Sequence, residues 1–131
     1  VSIIAIASAG VAFALRDSSQ SALEREGVRL AALLESARAQ SRASGVPVRW
    51  QATAGGFRFD GLPPAALPSE WLDAAAVVAD GTLLVLGPEP LIGAQAVVLM
   101  STGQPQASLR VSTDGLRPFT VQTVQTGVAA P

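Results

Sequence analysis

The sequence predicts an α+β chain in which one long N-terminal helix packs on a small antiparallel β-sheet or β-sandwich head. Three observations predict it. No proline interrupts residues 1–44, and Gly45 followed by Pro47 supplies a helix stop. From Val46 onward apolar residues recur with period two, as in strands with one buried face. Short turn signals rich in Gly, Pro and Asp separate these runs, and 131 residues suffice for one domain of this size.

Composition narrows what such a chain can do. It holds 9 basic residues, all Arg, and 10 acidic ones, for a net charge of -1, with no Lys, His, Cys or Tyr. Without His or Cys there is no zinc finger, thiol nucleophile, disulfide or imidazole base. A balance near neutrality argues against a general nucleic-acid binder, which needs surplus cations. Charged residues make up 15% of the chain and apolar ones 49%. An ordinary water-surrounded domain has about a quarter charged, so part of this chain is built for a non-aqueous place.

That part is Val1–Leu15, which has no charge and only Ser2 and Ser8 as polar residues. As a helix it spans about 22 Å, short of the ~30 Å hydrocarbon core of a bilayer. The expectation is that Val1 lies some way into a membrane helix. Residues 16–45 continue as an amphipathic helix. On a wheel of about 100° per residue, Leu23, Leu30, Leu34, Ala37 and Ser41 share one stripe, with Gly27 inside it and Leu33 at its edge. Leu23, Leu30, Leu34 and Ala37 are the expected helix-to-head contacts. Gly27 costs a helix about 1 kcal/mol relative to Ala, which close approach by a neighbour would offset. Arg25, Arg29, Ser36 and Gln40 fall opposite, and Glu35 with Arg38 can pair at i,i+3 for a few tenths of a kcal/mol.

The head is expected over residues 46–123. Residues 46–60 read as a hairpin turning at Ala54-Gly55-Gly56. Residues 61–75 read as a loop, since Pro63, Pro64 and Pro68 forbid a central strand, with one helical turn over Ser69–Asp73. Short strands follow at Val77-Val78, Thr82–Leu86, Ala96–Met100, Leu109–Ser112 and Pro118–Thr123. Turns are expected at Thr102–Pro105 and, as a two-residue hairpin, at Asp114-Gly115. Residues 124–131 read as a polar tail.

Catalytic and metal readings find little support. Glu70 and Asp73 could share a helical turn, but two carboxylates do acid–base work only in a shielded cleft. Gly55-Gly56 lacks the Lys and helix of a phosphate loop, and the carboxylates are too scattered for a calcium loop. Arg25, Arg29, Arg38 and Arg42 cluster on the helix, yet Glu24, Glu26 and Glu35 among them leave a local balance of only one positive charge. They read as a solvated face. No cofactor, metal, small-molecule substrate or nucleic acid is expected.

An uncharged N-terminal helix continuing into an amphipathic half and a small β head resembles the pilin-like plan of type IV pilins. The run LEREGVRLAALLESARAQSRASGVPVRW, Leu23 to Trp50, is similar to the helix-to-first-strand region of GspH-like minor pseudopilins of bacterial type II secretion systems. So are GFRFDGLP (56–63), LGPEPLI (86–92) and VSTDGLRPFTV (111–121). The leader, the cleavage site and the Glu of the apolar run that mark the family's start have no counterpart here, nor does the kinking Pro.

The resemblance implies a structural subunit rather than an enzyme. It would sit in the bacterial inner membrane by a single helix, head in the periplasm, and then pack with major and minor pseudopilins in a short filament. Ile3, Ile4, Ile6, Val11, Phe13 and Leu15 would face lipid first and other helices later, with Ala5, Ala9, Gly10 and Ala12 permitting close approach. The loops at 61–75 and 87–95 are the expected contact surfaces of the head. A minor type IV pilin in pilus biogenesis or DNA uptake is the alternative. Those pilins carry an Arg-rich C-terminal region, whereas the last arginine here is Arg117. A secreted enzyme retaining a signal segment is a third reading.

Overall fold

The computed structural model describes the backbone of residues 2–125 except positions 64, 73, 74, 79–81, 90 and 103. Side chains are described from Gln20 onward, except at those positions and at 104–107, 124 and 125. Helix α1 is Ser2–Ser44, about 65 Å at 1.5 Å per residue. It ends because Gly45 takes φ 73°, a left-handed conformation that costs a residue without Cβ little. The Gly45 amide then donates to Ser41 O at 2.8 Å.

Seven strands follow: β1 Val48–Thr53, β2 Gly56–Asp60, β3 Ala76–Val77, β4 Leu83–Gly87, β5 Gln95–Ser101, β6 Gln104–Thr113 and β7 Thr120–Gln125. They form two antiparallel sheets, ordered β2-β1-β4 and β3-β5-β6-β7. The molecule is thus α+β, with two small sheets sharing one helix. Alternation along each strand sends one row inward: Val48, Trp50 and Ala52, Leu84 and Leu86, Val97 and Leu99, Leu109 and Val111 are all buried. Helix α1 lies against β1 and β4 of one sheet and β5, β6 and β7 of the other. One apolar core therefore joins both sheets to the helix. At about 1.5–3 kcal/mol per fully buried large apolar side chain, this core holds the head together.

The buried side of α1 runs Leu23, Glu26, Gly27, Leu30, Ala31, Leu34, Ala37, Arg38, Ser41. At Gly27 the helix packs tightly on side chains of β6 and β7. A Cβ there would collide with Leu109 Cδ2 and stand 3.2 Å from Val121 Cγ1. Two arginines depart from the solvated face expected of them. Arg38 is 3% exposed, and Arg29 is half-buried beside Glu26. Both lie within reach of polar groups on the head that local helix periodicity does not reveal.

Other differences have local causes. Ser69–Leu72 is not helical; Glu70 forms a single bridge to Gly56, which extends the edge of β2. Asp73, the other half of that expected turn, lies outside the described residues. The β6–β7 connection is not a two-residue hairpin, because the register pairs Ser112 with Thr120 and β6 ends at Thr113, which leaves a loop over 114–119. Asp114 Oδ1 accepts from the amides of Leu116 (2.9 Å) and Arg117 (2.8 Å), which curls the chain, and Pro118 has no N–H to give a ladder. Strand β6 starts at Gln104, inside the stretch expected to turn, and β7 runs to Gln125, two residues into the expected tail.

Candidate interaction surface

The two loops expected to carry contacts are both held from beneath. The 61–75 loop covers an aromatic cluster: Trp71 lies 4.6 Å from Phe57 and 6.4 Å from Trp50, centroid to centroid, and Phe59 meets Phe57 edge-on. Leu62 and Leu67 pack on the core from the same loop. Backbone bonds fix it, with Phe57 N donating to Ser69 O at 3.0 Å. Arg29 ties it to the helix: one guanidinium nitrogen donates to Glu70 O at 3.0 Å and meets Glu26 Oε1 at 2.8 Å. Beside Trp71 and Leu72 the surface forms a groove of about 480 Å³ floored by Thr53 and Ala76.

The 87–95 loop is anchored by Ile92, whose side chain is buried and whose amide donates to Gly115 O at 3.4 Å. Gly115 belongs to the 114–119 loop, which the helix holds in turn. Arg38 donates to Gly115 O at 2.9 Å and to Arg117 O at 3.3 Å. Glu35 Oε2 accepts from the Phe119 amide at 3.1 Å and lies 3.6 Å from Arg38. Thr113 Oγ1 donates to Arg117 O at 2.6 Å. The Arg117 and Leu116 amides, helped by the Arg117 guanidinium, hold the Asp114 carboxyl below its ordinary value.

Leu23, Leu30, Leu34 and Ala37 are buried between helix and head. The side chains of Ile3, Ile4, Ile6, Val11, Phe13 and Leu15 lie outside the described ones, although their backbone belongs to α1. Glu70 is exposed, and Asp73, the other carboxylate of the expected pair, lies outside the described residues. Sequence reasoning missed the buried Glu26 and Arg38. Each sits about 60° from Leu23 on the helical wheel, so their position was available while their partners were not. Among the described residues no helix is long and apolar enough to cross a membrane, and no three potential ligands gather to hold a metal. Comparison with protein-family models, curated proteins and solved structures yields no match.

Proposed function

We propose that the chain is a minor pseudopilin of the GspH-like group, a structural subunit that assembles with other major and minor pseudopilins in the pseudopilus of a bacterial type II secretion system. One observation carries this reading: a single helix of 43 residues serves a small two-sheet head that it contacts through the face from Leu23 to Ser41. Ahead of that face the sequence has fifteen residues without a charge, Val1–Leu15. In this reading that segment is inserted in the inner membrane before assembly and packs among neighbouring helices afterwards, both being apolar surroundings. The head stands in the periplasm and offers its 61–75 and 87–95 loops to neighbouring subunits. The work is packing, so no cofactor or substrate enters.

The test is secretion by cells carrying altered chains. Ile6→Asp combined with Phe13→Asp is expected to abolish membrane association and secretion while the head keeps its unfolding midpoint. Glu70→Arg combined with Glu89→Arg, both exposed on the two loops, is expected to reduce secretion with the chain still folded. Normal secretion from both variants would sink the proposal. Micromolar, salt-sensitive binding of the chain to duplex DNA would instead favour a type IV minor pilin of DNA uptake.

A further inference from the structure

The two sheets meet along an open seam. Strand β4 is an edge of its sheet. Strand β5 pairs with β3 only at Met100 and Ser101, so from Gln95 to Leu99 it has β6 on one side and no strand on the other among the described residues. One side chain spans the seam. Gln95 Oε1 accepts from the Val85 amide at 2.7 Å, and Gln95 Nε2 donates to Val85 O at 2.8 Å. A carboxamide here occupies both backbone groups of Val85, as a peptide unit of a neighbouring strand would.

The face over this seam, turned away from the helix, is apolar in the middle and cationic at its margins. Leu83 and Val85 on β4 and Val98 and Met100 on β5 are each 39–49% exposed. Register places Arg49 of β1 opposite Val85 and Arg110 of β6 opposite Val98. Across the strands β1, β4, β5 and β6 the order is therefore cation, apolar, apolar, cation. The side chains of Arg49 and Arg110 are exposed and make no ion pair or hydrogen bond among the described residues. The nearest acid in register, Asp60, is engaged by Arg58 at 3.3 Å.

We infer that this face docks a segment of a partner protein in which apolar side chains are bracketed by carboxylates. The apolar residues cover the four exposed side chains of β4 and β5, and the carboxylates pair with Arg49 and Arg110. Two guanidiniums that make no ion pair among the described residues specify the sign of the partner's charge, and the apolar strip between them supplies the area. The inference stands apart from the pseudopilin reading, since any acidic–apolar partner satisfies it.

The probe is a labelled peptide, Glu-Glu-Leu-Val-Leu-Glu-Glu, and its twin with Lys at every Glu. Each is titrated against the full chain in a non-ionic detergent at about 0.1 M salt, where surface charge is only partly screened. The acidic peptide is expected to bind and the Lys twin not. In the chain carrying Arg49→Glu and Arg110→Glu, affinity for the acidic peptide is expected to fall at least about tenfold, and the Lys twin to bind in its place. Circular dichroism and the unfolding midpoint of that variant check that it folds. Should it not fold, Arg49→Gln with Arg110→Gln is read instead, with the same expected loss. Equal binding of the two peptides, or binding unchanged in the variants, overturns the inference. So does Arg49- and Arg110-dependent binding to phosphatidylglycerol vesicles without binding of the acidic peptide, which would assign the face to lipid.

Discussion

Helix α1 is attached to the head in two chemically different ways. From Leu23 to Leu34 the contact is mainly apolar and non-directional, with Gly27 admitting Leu109 and Val121 against the helix backbone and a polar tie from the Arg29–Glu26 pair to Glu70 O. From Glu35 to Ser41 it is polar and directional: Arg38 and Glu35 grip three backbone groups of the 114–119 loop, and Ser41 Oγ donates to Val46 O at 2.7 Å. The first zone supplies free energy in proportion to area removed from water. The second contributes less net energy per bond, but an unmatched carbonyl or amide left inside costs about 1–3 kcal/mol. It therefore fixes the position of the helix along the sheets, which the apolar zone alone leaves loosely specified.

The contrast can be broken at either end. Leu34→Ala, in the apolar zone, is expected to cost about 2–5 kcal/mol, read as a lower urea midpoint with an unchanged slope. An effect under 1 kcal/mol would mean that the apolar zone is not the main attachment. Arg38→Met keeps the volume but removes one donor from each of the Gly115 and Arg117 carbonyls, which keep the Ile92 amide and the Thr113 hydroxyl, for an expected loss of about 1–2 kcal/mol. Arg38→Lys should not restore it, because one ammonium cannot reproduce the planar fork.

Gly27→Ala gains about 1 kcal/mol of helix propensity but overpacks Leu109 by more, for a net loss of about 1 kcal/mol. In a Leu109→Ala background the same change should become stabilising, and a double-mutant cycle measures that reversal. The smallest effect belongs to Asp114. Its carboxyl titrates below its unfolded value, so its contribution is present above that unfolded pKa and is lost as pH falls through the folded one. Urea midpoints measured from neutral pH down through the carboxylate range should drop less in Asp114→Asn than in the unaltered chain.

The same division explains what could be read in advance. The spacing of Leu23, Leu30, Leu34 and Ala37 marks the buried face of the helix, because apolar periodicity is a local property of the chain. Gly27 inside that stripe points to a close neighbour for the same reason. The alternation at Val48, Trp50 and Ala52 is equally local. The polar zone is not local: Arg38 reaches Gly115 and Arg117 across 77 and 79 residues, and Glu35 reaches Phe119 across 84. Nothing in the neighbourhood of Arg38 announces those carbonyls. Asp114-Gly115 carries a sound hairpin signal, yet the Asp side chain captures two amides and opens a wider loop. The seam between β4 and β5 was invisible for a related reason, since the residue that spans it, Gln95, is an unremarkable polar residue at the start of a strand.

The distance in sequence between the helix and its polar partners also orders the chain's life during synthesis. Helix residues up to Ser44 are made first, while the groups that receive Glu35 and Arg38 arrive some eighty residues later, and Leu109 and Val121 arrive nearly as late. The stripe from Leu23 to Ala37 thus has no completed seat until the last two strands have emerged. Over that interval β1, β4 and β5 supply only part of the helix's final cover. Truncation before β6 removes Leu109 together with the backbone groups that receive Glu35 and Arg38.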